Sequence, residues 1–506
     1  MKYQSSRGEY KSISAANAVK MGIAPDGGLF VPDFIPFLKP QDIADMQHQD
    51  YQTRACTVMS YYLDDFTANE ITNCVYSAYN HAAFDHAAIA PLHQIDNKTF
   101  IQELWHGPTL AFKDMALQIL PHLLTYSARK TNESGEILIL VATSGDTGKA
   151  ALAGFQDVPG TKIVVFYPRE GVSQIQKRQM ITQEGSNVFV AAVEGNFDDA
   201  QSGVKQIFAD QQFISDLAQK GLRMSSANSI NWGRLLPQIV YYISAYADLC
   251  ADNHIKAGDS INVVVPTGNF GNILAAFYAS RMGIPIHKLI CASNANNVLT
   301  EFIRSGHYDR NREFHRTISP SMDILISSNL ERLLYEMTGH DAEKVGQWME
   351  DLNNQGSYQV DEAVLQKIQH LFWADYSSDR ETMDAIKQVW EKHHYLLDTH
   401  TAVAWCVYRR YAELSGDLTP TIIASTASPF KFAPSVAEAL LGADALQGKN
   451  EFEILTLLSQ YTGIEIPAAI RELEQKPILH QTSTSRDDMK TTVTKLIFGD
   501  CPRKSV

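Results

Sequence analysis

Apolar residues along this chain come in two distinct rhythms. Between positions 137 and 193 they form short unbroken runs, Ile137-Leu-Ile-Leu-Val141, Ile163-Val-Val-Phe166 and Val188-Phe-Val-Ala-Ala-Val193, each bounded by turn residues. Runs of this length without polar alternation suit strands covered on both faces. Between them the spacing changes to threes and fours, as in Phe197, Ala200, Val204, Ile207 and Phe208, which places apolar side chains on one face of a helix. Strand and helix in alternation predict a parallel sheet. The alternation resumes with Ile261-Asn-Val-Val-Val265, a helical run from Ile273 to Met282, and Lys288-Leu-Ile-Cys-Ala292, so a second α/β unit is expected. Helical stretches such as Asp42 to Met46 and Ala68 to Tyr79 mark the start of the chain, after the turn-rich Ile23 to Pro32. Residues 330 to 415 read as mostly helical, and Pro420-Thr-Ile-Ile-Ala-Ser-Thr-Ala-Ser-Pro429 returns to a strand with a hydroxyl-rich turn.

The expected division is a mainly helical N-terminal module (1–92), a large α/β domain (93–132 and 228–480), a small α/β domain (133–227) and a C-terminal tail (481–506). In that tail, Gln481 to Asp488 is polar enough for a surface loop ahead of a final short helix. At 506 residues the chain exceeds one ordinary core, in keeping with several domains. Its net charge of −14 disfavours nonspecific attraction to nucleic acid or anionic membranes, so an anionic substrate needs a local basic pocket. No apolar run reaches membrane-spanning length and the first residues lack a signal-peptide core, so the expectation is a cytoplasmic enzyme with neither nucleic-acid nor membrane partners. Cys56, Cys74, Cys250, Cys291, Cys406 and Cys501 are far apart and suggest neither zinc nor a disulfide framework. His81, His86 and His93 lack the spacing of one helical face, and no metal site is expected.

The candidate chemistry lies in three segments. In His106-Gly-Pro-Thr-Leu-Ala-Phe-Lys113-Asp114 a lysine sits in an apolar turn ahead of a helical pattern. A lysine that forms a Schiff base needs its ammonium destabilised by desolvation or a neighbouring cation, and the apolar flank Leu110-Ala-Phe112 is compatible with that. Asp114 reads as a helix-start residue, whereas the spacing of His106 assigns it no role. Thr143-Ser-Gly-Asp-Thr-Gly148 and Thr267-Gly-Asn-Phe-Gly-Asn272 each follow a strand pattern and open a helix, where backbone amides can receive an anion. Read alone, the first is equally a capping turn and the second a plain strand-to-helix turn. Neither completes a dinucleotide fingerprint or a Walker loop. An amine with two anion cradles matches what pyridoxal phosphate requires.

Taken together, these segments resemble threonine synthases, within the tryptophan-synthase-β type of pyridoxal-phosphate enzymes. The resemblance extends to Tyr3-Gln-Ser-Ser-Arg-Gly8, Ala24 to Pro32, Ala227-Asn-Ser-Ile-Asn-Trp-Gly-Arg234 and Thr426-Ala-Ser-Pro-Phe-Lys-Phe432. It implies two parallel-sheet α/β domains of that type. It also implies that Lys113 carries pyridoxal 5'-phosphate, that Gly268, Asn269, Phe270, Gly271 and Asn272 hold its phosphate, that Thr426 meets the ring nitrogen, and that Asp146 lies near the ring oxygen. Ser144 and Thr147 are assigned to the substrate carboxylate, and Asn228, Ser229 and Arg234 to the substrate phosphate. The implied reaction converts O-phospho-L-homoserine and water to L-threonine and phosphate, in a monomer or homodimer. Lys149 and Ser6 depart from the residues associated with the family at those positions. The competing expectations are a phospho-lyase that releases a keto acid, ammonia and phosphate, and a non-catalytic binding protein.

Overall fold

The computed structural model describes residues 1–143, 145–170 and 172–499. Its larger sheet runs in the order Phe372–Tyr376, Ile286–Ser293, Ile261–Pro266, Thr421–Ser425, Thr99–Glu103 and Leu92–Gln94. Neighbours are parallel except the last pair, a hairpin. The smaller sheet, Thr482–Thr484, Val188–Val193, Thr161–Pro168, Glu136–Ala142 and Leu222–Ser225, is parallel throughout. Central strands are the continuous apolar runs: every residue of Ile261–Pro266 is buried, with Val263 opposite Leu289 on one side and Ile422 on the other. A strand covered on both faces leaves no position where a polar residue gains water, which is why these runs show no alternation.

The N-terminal part is helical, with Ala15–Met21, Pro40–Met46, Tyr51–Ser60 and Ala68–Ala78 accompanied by the short antiparallel pair Tyr3–Ser5 and Phe30–Pro32. It packs around helix Trp232–Ala251, whose residues are buried on nearly every side. That helix is apolar all round because it lies between layers rather than on one.

Two segments differ from the sequence reading. Phe372–Tyr376, inside the stretch read as helical, is the edge strand of the large sheet, paired with Leu289–Ser293. Five residues between two strong helical patterns carry too little period of their own to be separated from them. In the C-terminal segment, Thr482–Thr484 is an edge strand beside Ala191–Val193 rather than a free surface loop, and Met489 and Val493 of the final helix Met489–Phe498 are buried in the core of the small sheet. Its polar residues suit an edge position, where one side faces water.

Candidate active site

The strand ends that carry the three candidate segments point into one region. Thr99–Glu103 leads to the lysine turn, Ile261–Pro266 to the loop 267–272, and Thr421–Ser425 to Thr426, while Glu136–Ala142 of the small sheet leads to 143–148. Parallel sheets place ligand sites at the carboxyl ends of their strands, where the following helices present their N-termini.

Lys113 begins the short helix Lys113–Leu117, and its side chain is 12% exposed. The turn before it is fastened to the strand end across the sheet: Phe112 N–H donates to the Thr426 carbonyl (2.9 Å), and Ser428 N–H donates to that of Leu110 (3.0 Å). Asp114 closes the turn, accepting from Thr109 N–H (2.8 Å) and Oγ1 (2.7 Å). The Lys113 ammonium donates to Asp146 Oδ2 at 3.4 Å and Ser321 Oγ at 3.3 Å. Burial lowers its pKa against the pull of Asp146, and Lys431 and Arg234 lower it further.

Asp146 is the electrostatic centre. Its Oδ1 takes Lys431 Nζ at 2.9 Å and Gln176 Nε2 at 2.9 Å, while Oδ2 faces Lys113 and Ser321 Oγ (3.2 Å). Burial by itself raises this carboxyl, but Lys431 and Lys113 prevail and hold it well below the usual carboxylate range. Ser321 is fixed from behind, its N–H donating to His400 Nε2 (3.1 Å), whose Nδ1 faces Asp398 Oδ1 (3.0 Å). Because Nε2 accepts, the ring proton sits on Nδ1, toward the carboxylate.

The loop 267–272 opens helix Gly271–Arg281 through Phe270 in a left-handed conformation (φ 64°). Gly268 is obligatory for space, since a Cβ there would lie 2.7 Å from the Ser321 carbonyl oxygen. Ser327 Oγ donates to the Gly268 carbonyl (2.7 Å), and Asn329 N–H and Nδ2 both donate to that of Asn269 (3.1 and 3.0 Å). In the other loop, Thr143 Oγ1 accepts from the N–H groups of Gly145 (3.0 Å) and Gly148 (2.9 Å). Gly145 has φ 148°, and a Cβ would meet the Gln176 amide at 2.6 Å.

Comparison with known proteins agrees with this architecture. Family models described as threonine synthase N terminus, pyridoxal-phosphate dependent enzyme, and threonine synthase C-terminal match residues 2–79, 84–348 and 401–491. The threonine synthase of Pseudomonas aeruginosa is 38% identical over 87% of this chain and 91% of its own. Threonine synthase-like 1 of Homo sapiens is 43% identical over 84% of this chain, and the match spans 58% of that relative's length. The crystal structure of pyridoxal-phosphate-bound threonine synthase from Brucella melitensis superposes with a TM-score of 0.86 at 36% identity, covering 97% of this chain and 98% of that one.

The chain belongs to the threonine synthase family of pyridoxal-phosphate-dependent enzymes. For this family member the cofactor fits what the residues offer. A buried amine with a lowered pKa bonds to Ser321, whose backbone packs on Gly268 in the loop that opens helix Gly271–Arg281, so an amine and a helix N-terminus able to receive an anion share one neighbour. Asn272, at the start of that helix, is buried; its Oδ1 accepts from Tyr241 OH (2.7 Å) and from Tyr242 OH, and its Nδ2 has no partner among the described residues.

Of the residues singled out in the sequence, Lys113 and Asp146 meet directly, and Thr426 touches the lysine turn through its backbone. Thr147 is half-buried in the first turn of helix Asp146–Phe155, and Ser144 lies outside the described residues. Arg234 is buried, its Nη1 donating to the Ala227 carbonyl (2.7 Å) and its Nε without a partner among the described residues. Desolvation lowers its guanidinium to about 10. Asn228 is exposed, with Oδ1 accepting from Ser229 Oγ (3.3 Å).

The sequence reading missed Gln176, Ser321, His400, Asp398 and the role of Lys431. Only Lys431 carried a local signal, as a lysine inside the Thr426–Phe432 motif. His106, left without a role, is held between Asp85 Oδ1 (2.6 Å) and Glu103 Oε2 (2.9 Å) and stacks on Trp105. Burial opposes its charge, but the two carboxylates outweigh it and raise the imidazole to about 9. Among the described residues no cluster suits a metal ion, and no helix is long and apolar enough to cross a membrane.

Proposed function

We propose that this protein converts O-phospho-L-homoserine and water to L-threonine and phosphate, with Lys113 carrying the cofactor. The observation that supports it best is the buried Lys113 amine, set against Asp146 where the loops of both sheets converge. Bound pyridoxal phosphate supplies an electron sink that makes the substrate's carbon-bound protons removable. The chain supplies the rest. Lys113 holds the cofactor and, once displaced by the substrate amine, is a base that takes and returns protons on one face of the site. Amides of Gly268 to Asn272 hold the cofactor phosphate, and Thr426 offers a neutral hydroxyl to the ring nitrogen. Asp146 lies near the ring oxygen. Ser144 and Thr147 receive the substrate carboxylate, and Asn228, Ser229 and Arg234 receive the phosphate that leaves. For Arg234, a buried guanidinium with an unpartnered Nε is a suitable donor to an oxyanion.

In this reading residues 93–132 with 228–480 form the cofactor domain, 133–227 the smaller domain and 1–92 the flanking module. Thr482–Thr484 extends the small sheet, so part of 481–506 travels with the smaller domain. The protein works in the cytoplasm as a monomer or homodimer.

A second reading draws on the 43% identity to threonine synthase-like 1, against 38% to the bacterial threonine synthase, which supports a variant whose outcome differs from that of the synthase. That reading is a phospho-lyase in which the same elimination ends in a keto acid and ammonia. Incubation with O-phosphohomoserine distinguishes them. Threonine and phosphate in equal amounts support the synthase, whereas 2-oxobutyrate with ammonia and phosphate, without threonine, rejects it. Lys113→Ala is expected to lose on the order of 10²- to 10⁴-fold in turnover, and full turnover in that variant removes Lys113 from its role.

A further inference from the structure

Asp146 is shared by two lysines that are not equivalent. Lys431, on the 3-10 turn Pro429–Phe432, has a side chain with no solvent exposure. Its ammonium lies 2.9 Å from Asp146 Oδ1 and donates to the Thr109 carbonyl at 2.8 Å. Lys113 approaches the other oxygen at 3.4 Å, with the Ser321 hydroxyl as its second partner at 3.3 Å. The remaining carboxylate of the lysine turn, Asp114, is taken up by Thr109 N–H and Oγ1. The turn bearing Lys431 is bolted to the turn bearing Lys113 by Ser428 N–H donating to the Leu110 carbonyl (3.0 Å).

From this arrangement, and resting on the reading of Lys113 as the cofactor-bearing amine, we infer that Lys431 is the resident counter-cation of Asp146 and, as a positioning residue, keeps Lys113 free to react as a neutral amine. One carboxylate balances one ammonium, and the tighter and drier partner keeps it. A second ammonium beside that neutral pair gains little from Asp146 and is repelled by Lys431, in a place where burial already disfavours charge. The charged groups that act on Lys113 are Asp146, Lys431 and Arg234, and Lys431 acts in turn on Asp114 and Lys149. Without Lys431, Asp146 would turn its whole charge on Lys113 and hold it as an ammonium. The cofactor aldehyde reacts only with the unprotonated form.

The test reads Lys113 itself, without turnover. The full chain, stripped of cofactor and checked by circular dichroism, is labelled with trace acetic anhydride across a pH series, and the rate at Lys113 is read by peptide mass spectrometry. Lys431→Met is expected to slow labelling of Lys113 at pH 8 by about tenfold and to move its midpoint to higher pH, whereas Lys431→Arg, which keeps the cation, stays within about threefold of the natural chain. Asp146→Asn has the opposite sign and speeds labelling by about tenfold. An unchanged midpoint in Lys431→Met, or an arginine variant that behaves like the methionine one, overturns the inference. If Lys431→Met does not fold, Asp146→Asn decides: faster labelling supports the shared-anion arrangement, and an unchanged or slower rate sinks it. Borohydride fixation of pyridoxal phosphate, mapped separately, keeps the two ideas apart. Fixation away from Lys113 defeats the functional reading, whereas fixation on Lys113 with an unmoved midpoint defeats only the part given to Lys431.

Discussion

The loops 267–272 and 143–148 each follow a strand and lead into a helix, yet they are held by different means. The first is braced from outside: Ser327 and Asn329 occupy its carbonyls, and the Ser321 backbone fills the space above Gly268. The second is tied mainly to itself, through Thr143 Oγ1 and the N–H groups of Gly145 and Gly148. Apart from one backbone bond, Thr143 N–H to the Phe166 carbonyl (2.9 Å), its outward links are side chains, Asp146 to Lys113, Lys431, Gln176 and Ser321. A loop whose carbonyls are held from outside by several donors suits a cofactor that stays. A loop joined to the rest by side-chain contacts suits a substrate that enters and leaves, because side chains exchange partners without unfolding a turn.

The largest break in this comparison is expected from Gly268→Ala. A Cβ 2.7 Å from a backbone oxygen has no flexible side chain to push aside. About 1–3 kcal/mol of overpacking follows, so cofactor affinity, measured by absorbance titration, should fall by roughly tenfold or more. Gly271→Ala is the matched control, since its Cβ would meet Asn329 Nδ2 at 3.4 Å, an ordinary contact, and affinity should hold. Equal losses in both variants would mean that the loop is not braced as described.

Thr143→Val should act on the other loop. Removing the oxygen that accepts two amides costs about 1 kcal/mol, expected as a several-fold rise in KM for O-phosphohomoserine with cofactor affinity unchanged. A loss of cofactor affinity instead would erase the division of labour between the loops.

The smallest effect concerns the residue that opens the lysine segment. His106 is raised from its ordinary 6.5 to about 9 by Asp85 and Glu103 after burial is overcome, so the folded chain binds its proton more tightly than the unfolded chain. Its stabilising contribution is complete below pH 6.5 and is lost as pH climbs through about 9. His106→Asn should therefore flatten the decline in urea stability across that window, and a parallel decline in both proteins would exclude His106 as its source.

Much of this was legible without coordinates. The covered strands announced themselves as Ile137–Val141 and Ile261–Val265, because burial on both faces removes polar residues from a strand. The lysine turn and both loops stood out because each combines small or capping residues with a strand before it and a helix after it. Phe372–Tyr376 was hidden by its helical neighbours, and Thr482–Thr484 by a polar composition that its edge position permits.

By itself, the sequence determined the alternation of strands and helices and the family, and singled out Lys113 as the candidate lysine, because period, turn chemistry and motif are local properties of a chain. Only the tertiary structure decided which charges meet. Lys113, Asp146, Ser321 and Lys431 come from four separate segments, and their distances depend on how two sheets and the turns between them are packed. Whether a buried carboxylate serves one lysine or two is settled by a few ångströms across that packing, and no spacing along the chain records it.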